Sequence, residues 1–174
     1  MGTYAILAEG LRYPTLGHLV SLKGNIGQLA ADTVKTAYSQ FIERIEKISL
    51  AAWEELHTRT LDLNPPGAPY IGYQTWGDSY QRGVFMSMMN RAIEANHIDS
   101  EGELPDHLVP VLRLMDQLAE PFPELEEVLA PAVSRIHSAL VKADPENPYV
   151  WLIAAILEAC SSVSRTPAAD LNKN

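Results

Sequence analysis

The chain has 174 residues, 47% of them hydrophobic, and its 22 acidic against 13 basic side chains give a net charge of −9. That length and apolar content fit one domain with one sizeable core. An acidic surface repels phosphate backbones, which argues against a nucleic-acid partner; it favours basic partners and keeps the chain soluble. One cysteine leaves no intramolecular disulfide framework and no CxxC motif. The amino terminus lacks a basic n-region, and the most apolar window, Tyr149–Cys160, falls short of the ~20 residues a span needs and contains Glu158. These features predict a soluble, cytoplasmic protein.

Apolar residues recur at helical spacing along almost the whole chain, with no alternating strand pattern, which predicts an all-α bundle. Ala5, Leu7, Ala8 and Leu11 mark a first short helix, stopped near Pro14. Leu16, Leu19, Val20 and Leu22 mark a second, weakened by Gly24 and Gly27. Val34, Tyr38, Phe41, Ile45 and Ile48 form a clean stripe with Asp32 as its N-cap. Ser49 caps the next helix, which carries Leu50, Trp53, Leu56 and Leu61. The segment "DLNPPGAP" (Asp62–Pro69) interrupts it with three prolines and a glycine, and Asn64–Pro69 is a hinge of the kind that swapped dimers use, so monomer and dimer both stay open. A helix follows over Ser79–Ala95, then a polar loop, Asn96–Glu103. Leu104, Leu108, Val111, Leu112, Met115 and Leu118 trace a helix starting at Pro105. Leu125, Val128, Leu129, Val133, Ile136 and Leu140 trace another. Tyr149–Val163 is apolar on most sides and predicts a central helix. The helical domain is expected to occupy 1–164, and 165–174 to be a polar tail.

Two segments carry more than packing. "PYIGYQTWGDSYQRG" (Pro69–Gly83) sets glycines among Tyr70, Tyr73, Trp76 and Tyr80. Large aromatics with polar tips anchor partners, and glycines admit a second backbone, although the same rings serve ordinary cores. Asp78 is placed to cap the helix at Ser79, with Arg82 four residues on as its ion-pair partner. Gly83 costs about 1 kcal/mol relative to alanine inside a helix, which calls for compensation by close helix packing or by close approach of a ligand backbone. In "ELPDH" (Glu103–His107), Glu103 and Asp106 either stabilise the first turn of a helix or offer acceptors to arginine and peptide N–H groups, while His107 adds a group that titrates near neutrality.

Other chemistry is missing. "KGNIG" (Lys23–Gly27) lacks the spacing of a phosphate-binding loop, "GDSYQ" fails the nucleophile-elbow pattern at Gln81, and the five histidines have no metal-site spacing. Two rival readings remain: a small enzyme or metal protein using Asp106 and His107 with Asp78 and Arg82, and a permanent structural subunit of an oxidoreductase complex.

Together, "DLNPPGAPYIGYQTWGDSYQRG", the later "ELPDHLVPVLRLM" and the opening "LAEGLRYPT" resemble the NarJ branch of the TorD/DmsD/NarJ redox-enzyme maturation chaperones, the nitrate reductase delta-subunit family, over about Leu7 to Met115. The resemblance implies a TorD-like all-helical chaperone that performs no catalysis. It implies binding to the amino-terminal, leader-like segment of a molybdoenzyme catalytic subunit, held in the cytoplasm until its molybdenum cofactor is inserted. It also implies no permanently bound cofactor or metal, with contact to the molybdenum cofactor transient and confined to client maturation. The motif positions are Tyr73, Gly77, Asp78, Arg82, Gly83, Glu103, Pro105, Asp106 and His107. With Tyr70 and Trp76 they make up the expected client-peptide site.

Overall fold

The computed structural model describes residues 1–63 and 67–163, which form helices and connecting loops with no strand. In chain order the helices are α1 (Thr3–Gly10), α2 (His18–Asn25), α3 (Asp32–Ile45), α4 (Leu50–His57), α5 (Ile71–Trp76), α6 (Tyr80–Ala95), α7 (Leu108–Gln117), α8 (Pro123–Ala143) and α9 (Pro148–Val163). None of them is long and apolar enough to cross a membrane. The all-α, single-domain architecture agrees with the apolar periodicity of the sequence. The expected tail, 165–174, lies outside the described residues, as does part of the hinge at Asn64–Pro66.

The bundle is built around α9, which packs against α3, α8 and α1. Tyr149, Leu152, Ile153, Ala155 and Ile156 are fully buried there, as the nearly all-round apolar sequence predicts. The start of α9 is fixed by Asn147, whose side-chain oxygen accepts from the Tyr149 N–H at 3.0 Å while its amide donates to Thr60 Oγ1 at 3.0 Å. Trp53 Nε1 donates to the Tyr149 hydroxyl at 3.0 Å, which gives the buried indole N–H its partner. On α8, the predicted stripe from Leu125 to Leu140 is buried, and Pro123 opens the helix where a missing N–H costs nothing.

Several boundaries differ from the sequence reading. Asp32 lies inside the first turn of α3, next to Ala31 at the cap position, and the stripe ends at Ile45, leaving Ile48 37% exposed beyond the helix. On α2 only His18 and Leu22 are buried; Val20 is 75% exposed, because an eight-residue helix touches its neighbours on one face, and Leu16, 93% exposed, falls in the turn before the helix. Ser49 does cap α4, accepting from Ala52 N–H at 3.2 Å. That helix then runs on as a π turn over Thr58–Asp62 before the proline segment stops it. The largest departures lie in the two singled-out segments, where an additional short helix, α5, forms and α7 starts three residues later than Pro105.

Candidate functional site

Although far apart in sequence, the two segments meet. Ile71 N–H donates to the Asp106 carbonyl and Leu108 N–H to the Pro69 carbonyl, each at 2.8 Å, making one antiparallel bridge between Tyr70 and His107. Pro69 suits this place, since only its carbonyl is needed. Beyond the bridge α5 runs for six residues and ends at Gly77, whose φ of +61° and ψ of −155° belong to a region open almost only to glycine. The chain thereby turns sharply into α6. Ser79, not Asp78, caps α6: its hydroxyl accepts from the Arg82 N–H at 3.4 Å. A hydroxyl at the position immediately before the first turn reaches that donor, which leaves the carboxylate of Asp78 for the arginine side chain.

Arg82 is the centre of the cluster. Its Nε donates to Asp106 Oδ2 at 2.8 Å, its Nη2 to Asp106 Oδ1 at 3.3 Å and its Nη1 to Asp78 Oδ1 at 3.1 Å. The guanidinium also faces the rings of Tyr73 and Tyr70, at 5.4 and 5.7 Å from their centroids. These contacts hold Arg82 above its ordinary range, the hydrogen bond to Asp106 foremost. Asp106 is fully buried and accepts the guanidinium on both oxygens. Gly72 is what permits this approach, because a Cβ there would stand 2.7 Å from Asp106 Oδ2.

His107 caps α7, its Nδ1 accepting from the Val109 N–H at 3.2 Å, with the Tyr70 ring edge-on at 5.0 Å. Accepting at Nδ1 places the proton of the neutral ring on Nε2. Burial, and secondarily the nearby His57, push its pKa down to about 4. The helix therefore does not begin at Pro105, and neither Glu103 nor Asp106 occupies its first turn. Glu103 remains partly exposed at the lip. Its pKa is raised first by burial and then by the like charge of Asp62. The loop carrying it is tethered at Glu101 by Arg12 at 2.9 Å and by Arg113 at 2.8 Å.

The expected site residues thus divide into two sets. Asp106 and His107 are buried and committed to internal bonds, and the Arg82 side chain is nearly so; they build the wall. Tyr70, Tyr73, Trp76, Gly77, Asp78, Gly83, Glu103 and Pro105 retain accessible surface. A Cβ at Gly83 would meet nothing within 4 Å, so no helix packs against it and the position opens on free space. Among the described residues no three His, Cys, Asp or Glu side chains are grouped to hold a metal ion.

Sequence reasoning passed over His57 and Asp62. His57 is buried on α4, with Nε2 3.0 Å from the Leu11 carbonyl oxygen and Nδ1 3.5 Å from Asp62 Oδ2. The π turn brings Asp62 toward Glu103 and Tyr70, and a proline-rich segment gives no periodic signal for that. Also passed over was a groove of about 570 Å³ between α6 and α8, with Trp76 of α5 in its wall. The apolar spacing of α8 marks only its buried stripe and carries no signal for the exposed edge that lines this groove. No protein-family model matches the chain, and no curated protein matches it significantly.

Proposed function

We propose that this protein is a molybdoenzyme maturation chaperone of the NarJ type, which binds the amino-terminal segment of a catalytic subunit and holds that subunit in the cytoplasm until the molybdenum cofactor is in place. The observation that carries the reading is the convergence of the two resemblance motifs: Arg82 of one and Asp106 of the other, 24 residues apart, form a bidentate pair beneath the exposed Tyr73 and Asp78 and the half-buried Tyr70, Trp76 and Glu103. The pair fixes α6 against the start of α7, and so presents Tyr70, Tyr73, Trp76 and Glu103 in a set geometry. The cofactor is the client's cargo in this scheme, and no residue of this chain is assigned to it.

The test is purification of the protein from its native host followed by identification of what accompanies it. The expected result is a stoichiometric molybdoenzyme precursor lacking its cofactor, together with binding of that precursor's amino-terminal peptide in calorimetry. A mature, cofactor-loaded complex as the permanent companion would replace the chaperone by a structural subunit. Binding confined to another region of the client would move the site.

A further inference from the structure

The buried His57 at the end of α4 takes no part in the bonds of the motif cluster. Its Nε2 stands 3.0 Å from the Leu11 carbonyl oxygen, which can only accept, so Nε2 carries the ring proton. Nδ1 is then a lone pair in the neutral ring. It is buried and without a hydrogen-bond partner among the described residues, and Asp62 Oδ2 lies 3.5 Å away. A lone pair facing a carboxylate is repelled; an imidazolium at the same place attracts it and closes the gap to a charge-assisted hydrogen bond. Among the described histidines only His57 has a carboxylate at ion-pair distance, and Asp62 has no other ion pair. The carboxylate belongs to the π turn over Thr58–Asp62, a rare backbone form that recurs at functional positions. The turn is pinned at the buried Thr60 by the Asn147 amide at 3.0 Å, and at its end by the Leu63 N–H on the Thr58 carbonyl at 3.0 Å. The Asp62 side chain, 47% exposed, is the part left to move.

We propose that His57 and Asp62 form a proton-operated latch. With a proton on Nδ1 the imidazolium grips Asp62 and draws the end of the π turn onto α4. Without it Asp62 is repelled from the ring and its charge adds to that of Glu103 at the lip of the motif site. Glu103 is in the field of both groups: the like charge of Asp62 raises it and His57 lowers it. The other groups around the ring offer the proton no second partner. Tyr13 and Tyr149 face it edge-on, with centroids at 5.3 and 5.9 Å, and burial disfavours the charged form of both His18 on α2 and His107 before α7. Closing the latch therefore cancels one of two negative charges at the lip. A cationic group arriving there competes with His57 for Asp62, so proton and cation binding oppose each other reciprocally. This consequence rests on the peptide-binding reading above and adds a regulation to it: a client segment with a basic residue at the lip is held less tightly as pH falls.

The experiment needs no client and uses the full chain. Nitrogen NMR of the His57 ring, followed as pH is lowered from about 8 to 5, should show Nε2 protonated throughout and Nδ1 gaining its proton. Protection of the Leu63 N–H from hydrogen exchange, taken relative to its intrinsic rate at each pH, should rise with that proton by severalfold. Asp62→Asn changes an exposed side chain and keeps the fold; it should reduce the doubly protonated share of the ring severalfold at the native midpoint and flatten the pH response of Leu63. Glu103→Gln removes a neighbouring charge and should keep that response. A neutral ring protonated on Nδ1 instead of Nε2, Leu63 protection indifferent to pH, or an equal pH response in Asp62→Asn would each overturn the latch. Latch behaviour with no molybdoenzyme precursor recovered from the host would keep the latch and remove the client. A recovered precursor alongside any of the overturning results would remove the latch and leave the chaperone reading intact.

Discussion

Replacing Gly72 with alanine places a methyl group 2.7 Å from Asp106 Oδ2 and 3.2 Å from Arg82 Cγ. The carboxylate is gripped on both oxygens and can yield only by giving up part of its bond to Arg82, and charge-assisted hydrogen bonds of this kind are worth about 1.5–3 kcal/mol. Against that loss stands the gain of about 1 kcal/mol for alanine over glycine in a helix, since residue 72 lies within α5. The net expectation for Gly72→Ala is a destabilisation of about 0.5–2 kcal/mol. Asp106→Ala alone should cost roughly 3–5 kcal/mol, the usual penalty for stripping one partner from a buried pair, because Arg82 then keeps only the exposed Asp78. In that background the obstructing oxygen is gone, Asp106 Cβ is at an ordinary 3.4 Å, and Gly72→Ala should stabilise. Urea unfolding of the four proteins closes the cycle, with an expected coupling of about 1.5–3 kcal/mol. Equal destabilisation by Gly72→Ala in both backgrounds would refute the argument, since the glycine would then be serving some other constraint.

The histidine at the cap gives a pH signature. His107 takes its proton near 4 when folded and near its ordinary 6.5 when unfolded, so its contribution is complete above 6.5 and falls away as pH drops toward 4. That interval corresponds to about 3 kcal/mol, and His107→Asn, which keeps a capping side chain, should lose the corresponding share of the pH dependence in urea titrations at pH 7 and 4.5. Gly77→Ala should destabilise by roughly 1–3 kcal/mol from backbone conformation alone, as no atom lies within 4 Å of the added methyl. Gly83→Ala should do the reverse and raise the melting temperature, worth about 1 kcal/mol; if a client backbone lies against Gly83, the same variant binds it more weakly. Cys160 is buried, which pushes its thiol up to about 12, so alkylation should be slow in the folded protein and rapid in urea.

What the sequence made legible was whatever repeats at short range. The buried face of α8 and the all-round apolar α9 follow from spacing, and Ser49 follows from the chemistry of a hydroxyl before an apolar run. Ends were harder where neighbouring residues compete for the same role. Asp78 and Ser79 are both good caps, and only the geometry after Gly77 selects the serine. Pro105 is a good opening residue, yet His107 N–H bonds back to the Leu104 carbonyl in a turn that delays α7. Val20 has the spacing of a buried residue and is exposed, because periodicity does not report how many faces a short helix finds covered; Leu16 shares the spacing but precedes the helix. For the candidate site, the component residues were visible and their division was not. Asp106 became a buried wall residue through a partner 24 positions away, a pairing that local pattern cannot carry.

The bridge at Tyr70 and His107 has a mechanical consequence. The two backbone bonds, each worth on the order of 1 kcal/mol, tie the start of α5 directly to the start of α7. A load applied at Tyr70 therefore moves the first turn of α7 with it, unless both bonds and the Arg82–Asp106 grip are released together. Since α7 also packs along α1, these two backbone bonds join the aromatic surface to the contact between the amino-terminal helix and α7.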